Sequence, residues 1–261
     1  MYDRTQYILS ELPNKSDLLK LFSQKQDLTI FDIGGCEGED SIRYSRLFPN
    51  AAVFVFEPLP KNQQRILETI KNYNAEKVTL LPIALSDNKG VSQFYVSSGH
   101  PEEIKENLDW DFGNKSSSLL PPDKHLETTP WVKFDDVIDV QTNTLSDFLV
   151  DNDVDEIDFV HMDVQGAELK VLNGAGKHIK KIKAIWLEVA DITLYKNQPT
   201  KTDIEIFMTN NGFHLAKSSL EGKVGDQLYL NESYFDKKLI NAFINNNKVF
   251  FIFRNFFGGS N

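Results

Sequence analysis

The chain has 261 residues, 41% of them hydrophobic, with no run approaching the roughly 18–20 apolar residues that span a bilayer, so a soluble globular chain of one large or two small domains is expected. Lys+Arg 28 against Asp+Glu 38 leaves a net charge of −10, which disfavours a nucleic-acid substrate, because phosphate backbones are held by clustered Lys and Arg. The single cysteine, Cys36, excludes an internal disulfide and a Cys-based zinc site; together with an N-terminus lacking the basic and apolar blocks of a signal peptide, it makes the cytoplasm the expected compartment.

In chain order, Leu18, Leu19, Leu21 and Phe22 among polar residues predict an amphipathic helix over 16–26, capped by Ser16. It belongs to a helical extension, residues 1–27, ahead of a main domain over 28–231. Leu28–Ile33 is a short apolar run that ends in Gly34-Gly35, as a buried parallel strand does when it opens into a tight turn. A helix over about 40–48 stops before Pro49, and Ala51–Phe56 forms a second strand closed by Glu57-Pro58. Leu67 and Ile70 mark the next helix, and 77–83 a third strand. Two βα units in succession predict a doubly wound α/β fold with helices on both faces of a parallel sheet.

Between 90 and 140 the pattern breaks. Val91–Val96 and Val132–Val140 alternate like strands, but Gly99, Pro101, Gly113, Ser116–Ser118, Pro121-Pro122 and Pro130 are loop composition, and so long a loop is expected to be functional. We expect a lid over Ser97–Trp131. Thr144 then caps a helix, Ile157–Asp163 is the fourth core strand, Ala167–Gly176 its helix and Ile182–Val189 the fifth strand. A helix over 202–211 and strands at Phe213–Lys217 and Gln227–Leu230 bring the sheet to seven strands, with 232–261 as a C-terminal extension. Its aromatic segment Val249–Phe257 is too short to cross a membrane and is expected to add a strand or form a homodimer contact.

Four positions carry the chemistry. Asp32-Ile33-Gly34-Gly35-Cys36-Glu37-Gly38 lies where a strand gives way to a helix, and glycines there let backbone approach a ligand. A dinucleotide fingerprint would need glycines where Cys36 and Glu39 stand. Glu37, Glu39 and Asp40 would repel a pyrophosphate but suit a cationic sulfonium cofactor. The spacing Asp-x-Gly-x-x-x-Gly is similar to the first motif of class I methyltransferases. Glu57, 23 residues after Gly34, ends the second strand where a carboxylate accepts hydrogen bonds from ribose hydroxyls. It specifies a ribose without separating NAD from S-adenosylmethionine. His161 and Asp163 share one face of the fourth strand, and if that strand neighbours the first, Asp163 borders the Gly34 turn. Glu188 ends the fifth strand, either paired with Asp163 or as a surface acid.

Thr29–Gly34, Val55–Pro58, Ala84–Asp87 with Gly90, Thr144–Phe148 and Asp158–Ala175 together resemble the FkbM methyltransferase family over about residues 28–230. The resemblance implies a class I methyltransferase, Rossmann-like fold, S-adenosylmethionine as cofactor, and O-methylation of a small-molecule or glycan hydroxyl. It implies cofactor contacts from Asp32, Gly34, Gly35, Cys36, Gly38, Glu57, Pro58 and Ala84, and chemistry at Asp163, His161 and Glu188. His161 stands where the family commonly has Lys, Gln165 where it often has Glu, and Cys36 where Asn is usual. Asp163, with His161, is expected to orient or deprotonate the acceptor. A divalent metal gripped by Asp163 and Glu188 is a second route to the alkoxide. Trp110, His125 and Trp131 read either as a sugar-stacking wall or as anchors of the lid. The competing classes are a NAD-dependent oxidoreductase or nucleotide-sugar epimerase, and a catalytically silent scaffold. The acceptor itself is not written in the motifs, since one fold hosts many substrates.

Overall fold

The computed structural model of the chain describes residues 3–23, 25, 27–101 and 110–245. Two short helices, α1 (Arg4–Leu9) and α2 (Lys15–Phe22), precede β1 (Thr29–Ile33), α3 (Glu39–Leu47), β2 (Ala52–Phe56), α4 (Pro60–Asn72) and β3 (Val78–Leu81). Next come β4 (Ala84–Ser86), β5 (Gly90–Ser98), α5 (His125–Thr128), β6 (Lys133–Thr144) and α6 (Leu145–Asp151). The last elements are β7 (Ile157–Met162), α7 (Glu168–Ala175), β8 (Ile182–Ala190), α8 (Lys201–Asn210), β9 (Phe213–Glu221) and β10 (Val224–Asn231). Residues 237–245 are helical. Among the described residues no helix is long and apolar enough to cross a membrane.

The main sheet has seven strands in the order β3-β2-β1-β7-β8-β10-β9. The strands from β3 to β8 are parallel, and β10 runs antiparallel to both β8 and β9. The chain winds outward from β1 in one direction and returns to its other side with β7, so the switch point falls between them, where open α/β sheets bind ligands. The doubly wound, seven-stranded α/β expectation holds.

Side-chain alternation sorts each strand onto two faces. Ile30, Phe159, Trp186 and Leu228 point to one core, which also takes Ile8, Leu18, Phe22, Ile42 and Ile66 from the first four helices. Ile240 and Phe243 from the C-terminal helical residues join them. Phe31, Val160, Met162 and Leu187 point to the other, covered by Phe148, Leu172 and Met208 from α6, α7 and α8. Along the first face, toward the C-terminal strand ends, apolar residues give way to polar ones. Asp32 is in register with His161, and His161 with Trp186. Asp226 is in register with Glu188.

The 90–140 interval holds more order than its composition suggested. Its two predicted strands pair antiparallel as β5 and β6, with β4 on the other edge of β6, in a second, three-stranded sheet. The sequence reading also missed α1, which Asp3 and Gln6 close with a capping box. Ser16 is not a cap: α2 begins one residue earlier, after Asn14, and ends at Phe22 rather than 26. The tail segment Val249–Phe257 lies outside the described residues.

Candidate active site

The turn after β1 is held by two amide donors: Gly34 and Gly35 N–H both bond to Phe56 O, at 3.0 and 3.2 Å. Gly34 has φ +85°, and a Cβ there would lie 1.9 Å from the carbonyl oxygen of Asp163. Only glycine meets both demands, so Gly34 brings β7 against the turn. Asp163 N–H bonds Ile33 O at 3.0 Å, placing Asp163 beside the turn at the switch point, as expected. Gly38 is the N-cap of α3, left-handed at φ 83°. An added Cβ there would meet Ile66, so its role is packing, and it lines neither cavity described below.

A cleft opens over the ends of β1 and β2. Gly34, Cys36, Glu57, Pro58, Ala84 and Asp163, all named from the sequence, line it. Phe94 of the second sheet and Asn114, Lys115, Ser117 and Leu119 of the predicted lid form its other wall. Glu57 is buried and accepts Cys36 N–H at 3.0 Å and Leu59 N–H at 2.7 Å. Burial outweighs these bonds and pushes its carboxyl up to about 8. Asn62 closes the set: its oxygen accepts the Asn114 amide at 2.7 Å, tying lid to α4.

A second cavity of about 640 Å³ adjoins the first through Gly34, Cys36, Lys115 and Asp163. Asp32, Gly35 and His161 line it, with Tyr7 from α1 as its unforeseen wall. His161 Nδ1 lies 3.0 Å from Asp32 Oδ1. Burial alone would lower the imidazole, but the bond and charge of Asp32 prevail and raise it to about 9. His161 is therefore a cation at neutral pH, not a free base. Ser41 Oγ donates to the other Asp32 oxygen at 2.5 Å.

Asp163 and Glu188 meet through a third residue. One amide nitrogen, Gln165 Nε2, donates to Asp163 Oδ1 at 2.7 Å and Glu188 Oε2 at 3.1 Å. The single hydroxyl proton of Tyr195 is shared between Gln165 Oε1 at 2.9 Å and Ser116 O at 2.8 Å. Gln165 has φ 53°, a left-handed conformation that these bonds maintain. Burial raises both carboxyls, and Glu188, which also feels the charge of Asp163, lies well above the carboxylate range. Glu168 caps Val164 and Gly166 N–H at 3.2 Å each, fixing the loop that carries Gln165.

The sequence reading missed Tyr7, Asn62, Lys115 and Tyr195; of these, only Lys115 fell in a flagged segment, the expected lid, and the partners of all four are distant in sequence. His125 is an anchor: its ring packs on Tyr195 and Phe134 at 5.4 Å each. Trp110 packs on Tyr7 at 5.1 Å and Phe112 at 4.9 Å. Among the described residues, no group of three or more His, Cys, Asp or Glu is placed to hold a metal ion.

The donor set fits S-adenosylmethionine. The ionisable residues around the two cavities are mainly carboxylates, with Lys115 and His161 as their basic members; a sulfonium and an ammonium suit this field, and a pyrophosphate does not. Switch-point cleft, glycine turn and strand-end acid together define a class I, S-adenosylmethionine-dependent methyltransferase. The chain belongs to the FkbM methyltransferase family: the profile of the Methyltransferase FkbM domain matches residues 32–215. It is 34% identical over 209 residues, 80% of this chain and 81% of the other, to 2-O-methyltransferase NoeI of Sinorhizobium fredii (strain NBRC 101917 / NGR234). Solved structures similar to it include precorrin-6y C5,15-methyltransferase from Geobacter metallireducens GS-15, at 16% identity, TM-score 0.45, and coverage of 85% and 93% of the two chains. Another is M. capricolum TrmK with S-adenosyl-homocysteine, at 11% identity, TM-score 0.44, and coverage of 88% and 74%. The oxidoreductase, epimerase and scaffold alternatives fall with the family assignment.

Proposed function

We propose that the chain methylates a hydroxyl of a sugar or glycan, with Asp163 as the general base. The observation that carries this reading is the Gln165 amide shared between Asp163 and Glu188. Two half-buried carboxyls that share one amide do not both ionise readily. Burial raises both, Glu188 also through the charge of Asp163, so the pair holds one proton between them more readily than none, and the shorter Gln165 bond, 2.7 Å, falls on Asp163. An alcohol is a poor nucleophile until its proton leaves, and a base with a raised pKa takes that proton more readily. The name of the Sinorhizobium relative, a 2-O-methyltransferase, favours an oxygen acceptor.

S-adenosylmethionine, when bound, supplies an electrophilic methyl group on a sulfonium. Glu57 would hold its ribose, Ala84 and Leu85 present apolar surface for its base, and Asp32, Gly34, Gly35 and Cys36 surround its amino-acid end. Asp163 orients the acceptor hydroxyl and takes its proton as the oxygen–carbon bond forms. His161, fixed to Asp32, holds positive charge behind Asp163 and keeps it ionised. The metal route is the weaker reading, because the Gln165 N–H bonds point to where a cation bridging Asp163 and Glu188 would sit.

Transfer of labelled methyl to a panel of glycans and nucleotide sugars tests the reading. In Asp163→Asn, turnover should fall by roughly 10²- to 10⁴-fold while affinity for S-adenosylhomocysteine stays unchanged. Near-normal turnover would remove Asp163 as base. Loss of activity with a chelator, restored by a divalent metal, would reinstate the metal route.

A further inference from the structure

Gln165 is held from three directions. Its side-chain nitrogen donates to Asp163 and Glu188, its side-chain oxygen faces the Tyr195 hydroxyl at 2.9 Å, and its backbone oxygen accepts Ser118 Oγ at 2.7 Å. Tyr195 lines neither cavity. It is buried between β8 and α8, with the His125 and Phe134 rings at 5.4 and 6.2 Å. Its backbone N–H bonds Gln198 Oε1 at 3.1 Å, so ring and backbone are both fixed by contacts that do not involve the hydroxyl.

A glutamine amide is a donor at one end and an acceptor at the other, and the two ends have nearly the same shape. Turned over, Gln165 would offer its oxygen to Asp163 and Glu188 and favour protons on both. The partner at the far end of the amide therefore bears on what the acids meet. Burial pushes the Tyr195 phenol up, so it stays protonated and can donate. At Asp163 the Gln165 bond is the foremost influence opposing burial, ahead of the charges of His161 and Lys115.

We infer that Tyr195 is a positioning residue for the transfer step: its hydroxyl holds the Gln165 amide with the nitrogen toward Asp163 and Glu188, so that Asp163 meets the acceptor as a carboxylate. The inference rests on the reading of Asp163 as general base. Without the hydroxyl, the Gln165 oxygen loses its partner and the amide is free to turn. Asp163 then loses the bond that favours its charge and keeps its proton to higher pH.

Tyr195→Phe in the full chain keeps the ring and removes only its oxygen. At pH 7 its kcat should fall roughly tenfold, and the acid limb of the kcat profile should move up by about one pH unit, so that the deficit shrinks as pH rises. KM and affinity for S-adenosylhomocysteine should stay near wild type. Carbon NMR of the Asp163 carboxyl, assigned by its loss in Asp163→Asn, should show the same upward move with no acceptor present. Gln165→Met, which removes the amide, should displace the titration likewise, and adding Tyr195→Phe to it should cost nothing more. A wild-type Asp163 titration in Tyr195→Phe overturns the inference, as does full additivity in the double variant. Should Tyr195→Phe fail to fold, a wild-type titration in Gln165→Met overturns it instead. Near-normal turnover in Asp163→Asn sinks the base reading itself, a result distinct from an inactive Asp163→Asn beside an unaltered Tyr195→Phe.

Discussion

Glu57→Gln isolates the strand-end acid from the rest of the site. In the wild type both carboxylate oxygens are engaged, Oε2 by Cys36 N–H at 3.0 Å and Oε1 by Leu59 N–H at 2.7 Å. Glutamine keeps the shape but turns one acceptor into a donor. One of the two amides then loses its partner, at about 1–3 kcal/mol, and a charge-assisted bond to a ribose hydroxyl becomes a neutral one. Affinity for S-adenosylhomocysteine should therefore fall about 10- to 100-fold at pH 9, since each 1.4 kcal/mol is about tenfold. The pH profile supplies a second signature. With the carboxyl pushed up to about 8 by burial, ionisation between pH 7 and 9 should raise wild-type affinity up to about tenfold. Glu57→Gln should lose that component and keep whatever belongs to His161. Folding stability runs the opposite way. The folded chain holds the proton longer than the unfolded one, so this group costs stability as pH rises from its ordinary value of 4.5 to about 8. Calorimetry at pH 7 and 9 decides the matter: wild-type affinity and an unaltered profile in the variant would refute the ribose role.

His161, raised to about 9 from 6.5, contributes stability that is complete below pH 6.5 and lost as pH rises through 9. The contribution is at most about 3 kcal/mol at 1.36 kcal/mol per pK unit. Denaturant titrations at pH 6, 7.5 and 9.5 should show a shallower decline in His161→Gln; an identical slope would dismiss the His161–Asp32 pair as its source. Arg4→Ala should cost about 3 kcal/mol, because Arg4 Nε lies 2.9 Å from buried Glu37 and 3.5 Å from buried Glu39. The loss, read in urea, should shrink as pH falls and Glu37, already raised by burial, protonates. A loss independent of pH would point to the helix rather than its charge.

The parts legible in the sequence were those written locally. Apolar runs of strand length, the Gly34 turn and the acid at 57 each announce themselves within a few residues. What escaped depends on residues that meet only through the fold. Asp32 and His161 were both singled out, but their bond follows from the register of β1 and β7, which periodicity does not give. Gln165 was noticed as a family departure, yet its bridging role needs β8 beside β7 and Tyr195 above both. Helix α1 has six residues and a single buried aliphatic, Ile8; only the Asp3-x-x-Gln6 cap marked it. The three-residue β4 is too short for any alternation to show.

The turn Gly113–Ser116 connects the electrostatics of the two cavities. Lys115, on the short 3-10 turn Gly113–Ser116, lines both cavities. Its ammonium lies 3.6 Å from Glu39 and 4.6 Å from the centre of the Trp110 ring. Tyr195 meanwhile joins Ser116 O on that turn to the Gln165 amide. The turn thus carries both the positive charge over the Glu57 cleft and the carbonyl that shares the Tyr195 hydroxyl with the Gln165 amide. Displacing the turn would remove a cation from among the carboxyls and leave the Tyr195 hydroxyl proton to Gln165 alone. The wall of the Glu57 cleft and the hydrogen-bond network at Asp163 therefore share the turn Gly113–Ser116.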